Sequence, residues 1–370
     1  MKIIRLLVLT LAVLIAAASF VSCGGDGAET EETRTSTAEA QTGDERPDVN
    51  VDFSDIYPEY VNPLTGLEAS YDVSSSRPLG VMLNNIYDAL PQVGVGDADI
   101  IFECLAEGGI TRLFALFSEY NDLGVIGSVR SARPYYIDFA QMFDAIYCHA
   151  GGSEDAYSEL AARGIDNIDG VRGDPLGVYY RDPQRLQTMS LEHTLMTTGE
   201  GLINTIEYCS FRTDLREGYE YPFTFAEFNK KNVLDGDECL KIHIPLSFYQ
   251  TVDYEYDAEN DVYLRYQYNM TPHIDGGTGE QLSFTNVIVL FCNTYQYDDY
   301  GRLRVETTGD GAGYLASEGK YVPINWHRDG IDGNLKLTLT DETPIVLNRG
   351  KTFINVCPLA TEYEINMNMQ

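Results

Sequence analysis

Positive charge is scarce in this chain. Lysine and arginine together number 25 against 57 acidic side chains, and the formal net charge is −32. A surface this acidic repels phosphate backbones and anionic headgroups, which excludes nucleic acid and broad adhesion to anionic lipid. There is a single tryptophan, and there are five histidines. No Cys-x-x-Cys occurs, and no Cys/His spacing suits zinc. The Gly-x-Ser-x-Gly elbow of the hydrolases is missing. The glycine pairs at 108–109, 151–152 and 276–277 match no phosphate loop or dinucleotide fingerprint and read as turns, and no calcium loop is found among the aspartates. No internal repeat is found, and no cofactor is expected.

Long uncharged runs are missing too, except at the start. Lys2 and Arg5 precede an apolar stretch from Leu6 to Val21, short for a membrane span and shaped like a secretory signal. Next comes Phe20-Val21-Ser22-Cys23, then Gly24-Gly25-Asp26, which resembles the lipobox of bacterial lipoproteins. The resemblance implies a signal peptide over 1–22, cut before Cys23, whose thiol carries a diacylglycerol. It also implies anchoring to the outer face of the cytoplasmic membrane. The alternative is an uncleaved anchor helix. Either way residues 24–370 lie outside the cytoplasm. Residues 23–55 are read as a flexible tether: from 24 to 50 there is no aromatic residue, and Val49 is the only large aliphatic one. Such a segment cannot bury enough apolar surface to offset its ordering entropy.

The remaining chain is long enough for two domains, and a hydrophobic fraction of 44% supplies a core. Cys104, Cys148, Cys209, Cys239, Cys292 and Cys357 could pair in many ways, so no connectivity is legible. Cys104, Cys148 and Cys292 lie in strand-like apolar runs, where a thiol behaves as a small hydrophobe, and mostly buried free thiols are expected.

The fold class expected is α+β: a mixed α/β domain over 56–235 containing a βαβα unit, then a smaller, mainly β domain over 236–370. Residues 78–85 read as a first strand. Ile100–Leu105 and Thr111–Ser118 read as a hairpin around Glu107-Gly108-Gly109-Ile110. Val125–Val129 reads as a strand, and Ser131 and Pro134 carry helix-start chemistry for a helix over 134–143. A strand over 145–149, the turn Gly151-Gly152-Ser153 and a helix over 154–163 complete the unit. If its strands are parallel, their carboxyl ends share one sheet edge, where open α/β sheets bind ligands. Residues 170–195 look irregular. From about 240 onward, strand-like runs rich in tyrosine alternate with Asp/Gly/Asn turns.

Several runs taken together resemble the YerB-like lipoproteins of Gram-positive bacteria: Asn62-Pro-Leu-Thr-Gly66, Glu107-Gly-Gly-Ile-Thr-Arg112, Arg130-Ser-Ala-Arg-Pro134, His149-Ala-Gly-Gly-Ser153 and Gly350-Lys-Thr-Phe-Ile-Asn355. The resemblance covers roughly residues 60–360. It implies an envelope lipoprotein with an α/β region ahead of a β region, and brings no established reaction. Around His193 the chain reads Met189-Ser-Leu-Glu-His-Thr-Leu195, which departs from the family pattern.

The sharpest candidate site is Arg130 with Arg133, which bracket a helix start where a phosphate or carboxylate is favoured. Arg112 joins them. The competing reading is an internal ion pair with Glu107, Glu103 or Asp138. His149 beside Ser153 could be base and nucleophile, yet no orienting acid is legible, and Ser153 fits a helix cap better. Arg181 and His193 complete the candidates. Tyrosines of the second half could stack on sugars or simply suit strands, and the polar run Trp326-His327-Arg328-Asp329 reads as a loop with a packing role.

Three functions follow in order. The first is a non-catalytic envelope protein that binds a partner protein or wall material. The second is an enzyme holding a pyrophosphate lipid on the arginine edge, by fold-level analogy with the LytR-CpsA-Psr phosphotransferases. The third, a solute receptor, needs two similar α/β lobes, which the β-rich second half disfavours. An open arginine-lined pocket favours ligand binding, and arginines committed to internal carboxylates favour a scaffold.

Overall fold

The computed structural model describes residues 57–368. The expected signal peptide, Cys23 and the whole of the tether lie outside these described residues. Residues 79–84 (β1), 100–105 (β2) and 111–117 (β3) are the apolar runs LGVMLN, IIFECL and TRLFALF, buried at every position. Continuous rather than alternating apolar sequence is what a strand covered on both faces requires. β2 and β3 form the expected hairpin, closed by a single turn of 3-10 helix at Glu107–Gly109.

β1 pairs antiparallel with β3 and parallel with Ile146–His149 (β5), which pairs parallel with Asn167–Asp169 (β6). On the other side, β2 pairs parallel with the strand Thr352–Pro358 from the far end of the chain. That strand continues through Asn286–Cys292, Gly309–Ser317 and Lys320–Arg328, completing one eleven-stranded mixed sheet. The boundary expected near residue 235 therefore does not separate two sheets. The short strands of a parallel pair carry no signal of their partner, so Thr352–Pro358 could not be assigned to β2 from its own sequence.

The architecture is α+β. One face of the large sheet is covered by helices. Pro134–Met142 (α1) packs Tyr136, Phe139 and Ala140 over Met82, Phe102 and Phe114, with the rings of Phe102 and Phe139 stacked at 4.5 Å. Glu154–Arg163 (α2) runs from β5 to β6 and buries Ala156 and Leu160. The opposite face is covered by a five-stranded sheet built from Lys241–Pro245, Thr251–Asp257, Val262–Gln267, Thr271–Pro272 and Ser283–Phe284. Its alternating burial, as in Val262–Gln267, is the mark of a sheet with one solvated face.

The strand expected over 125–129 forms only at Val125–Gly127 (β4). It pairs antiparallel with Leu195–Thr198 (β8) in a small separate sheet with Tyr180–Arg181 (β7), not with β5. The expected βαβα unit starting at that strand is therefore not what the sheet contains. β5–α2–β6 is the crossover present. α1 is capped two residues beyond Ser131: Arg133 is its N-cap residue and makes no side-chain cap bond. Ser153 does cap α2, accepting from the Ala156 amide at 3.2 Å. A third helix, Gly199–Cys209 (α3), follows β8. The six described cysteines are unpaired, and all but Cys209 are buried. Trp326-His327-Arg328 lies within a strand rather than a loop, and the Trp326 indole donates to the Phe291 carbonyl.

Candidate functional site

β5 and β6 lie side by side and end on the same edge of the sheet, at His149 and Asp169. The turns that follow, Ala150–Gly152 and Gly170–Gly173, are held by one carboxylate. Asp169 accepts from the amides of Gly151 at 2.7 Å and Val171 at 2.9 Å, and from the Tyr157 hydroxyl at 2.7 Å. Gly151 has φ +74°, a left-handed conformation that glycine adopts without a Cβ penalty. Burial and the Asp169 hydrogen bond push the Tyr157 phenol up to about 12, so it remains a neutral donor. Its ring in turn supports the Arg172 guanidinium, 3.8 Å from the ring centroid.

These turns form one wall of an open cleft of about 640 Å³. Ser190–Glu192, Leu195, Val129–Ser131 and Arg181 complete its lining. Three guanidiniums line it: Arg130, Arg172 and Arg181. Arg130 donates to Glu192 at 2.7 Å, and its Nε is buried without a partner. Arg181 is oriented by a bond to the Leu191 carbonyl. Among the described residues neither Arg172 nor Arg181 has a carboxylate within salt-bridge range. The only acidic side chain in the lining is Glu192, which the hydrogen bond from Arg130 holds below the usual glutamate value. The cleft is thus a locally cationic surface on a chain of net charge −32.

The sequence candidates divide. Arg130 and Arg181 line the cleft. Arg133 does not: it grips Glu107 through Nε at 2.5 Å and Nη2 at 2.8 Å. Arg112, almost fully buried, gives Nη1 to the Ser131 carbonyl at 2.7 Å and lies 3.5 Å from Glu107. Burial and the Arg133 charge pull Arg112 down to about 10, which leaves it cationic at neutral pH. Burial opposes ionisation of Glu107, but the Arg133 bond and the Arg112 charge outweigh it and hold the carboxyl below its ordinary value. The internal ion pair is thus the outcome for Arg112 and Arg133, with Glu107 rather than Glu103 or Asp138. Asp138 pairs instead with Arg163.

His149 and Ser153 do not meet as base and nucleophile. The buried His149 ring faces the Gly151 carbonyl at 2.8 Å and Asn167 Oδ1 at 3.2 Å, and the Ser153 hydroxyl caps α2. His193 is buried behind the cleft wall, where Nδ1 accepts from Asn84 Nδ2 at 2.9 Å. Burial lowers its pKa. Arg172, Tyr157 and Glu192 were missed as site residues. Arg172 and Tyr157 lie on a turn and a helix face set by the adjacent ends of β5 and β6, Glu192 lies in a 3-10 turn ahead of β8, and no local motif marks them.

Two family models match this chain, both described as protein of unknown function (DUF3048). The N-terminal domain model covers residues 64–212, and the C-terminal domain model covers 242–354. A Bacillus subtilis (strain 168) protein named YerB, described as a candidate lipoprotein, is 27% identical over 296 residues, spanning 80% of this chain and 86% of the relative. The crystal structure of YerB protein from Bacillus subtilis superposes with a TM-score of 0.70 at 26% identity, covering 81% of this chain and 97% of that one. The cleft is built within the N-terminal match.

Proposed function

The chain belongs to the YerB-like family of lipoproteins, and on that premise we propose that it is a binding protein of the cell envelope. It is held by a lipid on Cys23 at the outer face of the cytoplasmic membrane, and it takes an anionic ligand at the carboxyl ends of β5 and β6. The observation that carries this reading is the gathering of Arg130, Arg172 and Arg181 in one open cleft. In a chain with more than two acidic residues for each basic one, three guanidiniums on one concave surface are a selective feature. A planar guanidinium grips phosphate or carboxylate with two parallel donors. A role without catalysis is supported by the fates of the two catalytic candidates: His149 and Ser153 are both committed to backbone and amide partners.

The reading has two tests. Replacing Cys23 by alanine is expected to move the protein from the membrane fraction to the soluble one, and continued membrane residence would overturn the lipid anchor. Thermal unfolding of the full chain at fixed ionic strength is expected to shift upward with pyrophosphate or phosphate, because a ligand bound only by the native state stabilises it by mass action. A midpoint indifferent to every anion tried would remove the binding reading.

A further inference from the structure

Beyond the stack of Arg172 on Tyr157 lies a second depression of about 510 Å³ that shares those two residues with the arginine cleft. Its lining includes Leu160, Ala161, Gly164 and Ile165. Its one carboxylate, Asp169, is buried and already accepts three hydrogen bonds from the protein. Arg172 stands at the boundary with the arginine cleft, and the rest of this half offers a carboxylate and aliphatic surface, which favours hydrocarbon over a second anion. Around the arginine half, two large aliphatic side chains stand unusually far into solvent: Val171 is 64% exposed and Leu191 61% exposed. Single exposed aliphatics need no explanation. Here both flank the same cationic cleft, and Val171 stands beside the shared wall.

Resting on the anion-binding reading above, we propose that the ligand is an amphiphile, a lipid bearing a phosphate or pyrophosphate head. The head lies among Arg130, Arg172 and Arg181. The hydrocarbon chain passes over Val171 and Tyr157 into the depression walled by Leu160, Ala161 and Ile165. The arrangement sets polarity by number: three guanidiniums meet at one end, while the other shares only Arg172 and adds apolar carbon and a buried carboxylate.

The test compares three probes on the full chain by calorimetry at one detergent concentration: inorganic pyrophosphate, geranyl pyrophosphate and geraniol. Burial of hydrocarbon is expected to make geranyl pyrophosphate bind at least about tenfold tighter than pyrophosphate. Geraniol without its head should bind more weakly than geranyl pyrophosphate. Ala161→Glu, at an exposed helix position, should cut the geranyl pyrophosphate affinity to that of pyrophosphate and leave pyrophosphate itself unchanged. Val171→Ser should act in the same direction. Equal affinity for pyrophosphate and geranyl pyrophosphate, or a tenfold preference that survives Ala161→Glu, would overturn the amphiphile while leaving the anion site standing. No binding of either phosphate compound would remove both.

Discussion

Glu103 and Arg265 form an ion pair in which neither side chain reaches solvent, joining β2 of the large sheet to the strand Val262–Gln267 of the second sheet. Glu103 Oε1 also accepts from Asn85 at 2.8 Å, Thr111 at 2.6 Å and Gln250 at 3.1 Å, and Arg265 also donates to His273. Desolvating two charges is offset only where hydrogen bonds complete the pair. Removal of one partner strands the other. Arg265→Met is expected to lower the unfolding free energy by about 3–5 kcal/mol in urea titrations. The double variant Glu103→Gln/Arg265→Met should recover part of that loss. Additive losses would mean that the two residues act independently.

Glu192 accepts from Arg130 at 2.7 Å, so it competes with any anion that enters the cleft. Glu192→Gln keeps the size of the side chain and removes its charge. Affinity for pyrophosphate, measured by calorimetry, is expected to rise roughly threefold to tenfold. Unchanged or weaker binding would show that this ion pair does not govern access to Arg130.

Asp99 gives the stability a pH dependence of known sign. Its carboxyl accepts from the Ser118 amide at 2.7 Å and from Asn62 at 2.9 Å, yet burial dominates and raises it from 3.8 to about 6. A folded value above the unfolded one means that the native state holds the proton more tightly. The stabilisation is complete below pH 3.8 and is lost as pH rises through about 6. The loss amounts to about 3 kcal/mol at most. Asp99→Asn should therefore gain on the parent protein as pH rises from 4 to 7 in urea unfolding. Parallel stability profiles for the two proteins would refute the assignment.

Asp169 holds the two turns and Tyr157 together from beneath the cleft. Asp169→Ala leaves the Gly151 and Val171 amides and the Tyr157 hydroxyl without their acceptor. It is expected to destabilise the fold by about 1–3 kcal/mol and to weaken pyrophosphate binding. A variant that loses stability yet binds pyrophosphate as the parent does would show that the turns keep their shape without this clamp.

Much of this was legible in the sequence where chemistry is local. The hairpin at Glu107–Gly109, α2 with its Ser153 cap and the free thiols follow from short-range patterns. Long-range pairing was not legible. Nothing in Thr352–Pro358 names β2 as its neighbour, and nothing in Val125–Gly127 announces that it pairs with β8 instead of joining the large sheet. The site divides in the same way. Arg130 stood out by its contrast with an acidic chain, and Arg133 stood out for the same reason but is satisfied by Glu107. Arg172 lies in the turn after β6, whose place beside β5 depends on the crossover, so sequence spacing could not bring it to Arg130.

Anion binding is assigned to the cleft arginines Arg130, Arg172 and Arg181 rather than to those around Glu107. The direct measurement is pyrophosphate titration of the full chain and of four single variants, with stability measured alongside. Arg130→Ala, Arg172→Ala and Arg181→Ala should each weaken binding about tenfold or more, as expected for loss of a charged hydrogen bond. Arg133→Ala should lower stability but keep the affinity. If Arg133→Ala abolishes binding while the other three bind as the parent does, the cleft is not the anion site.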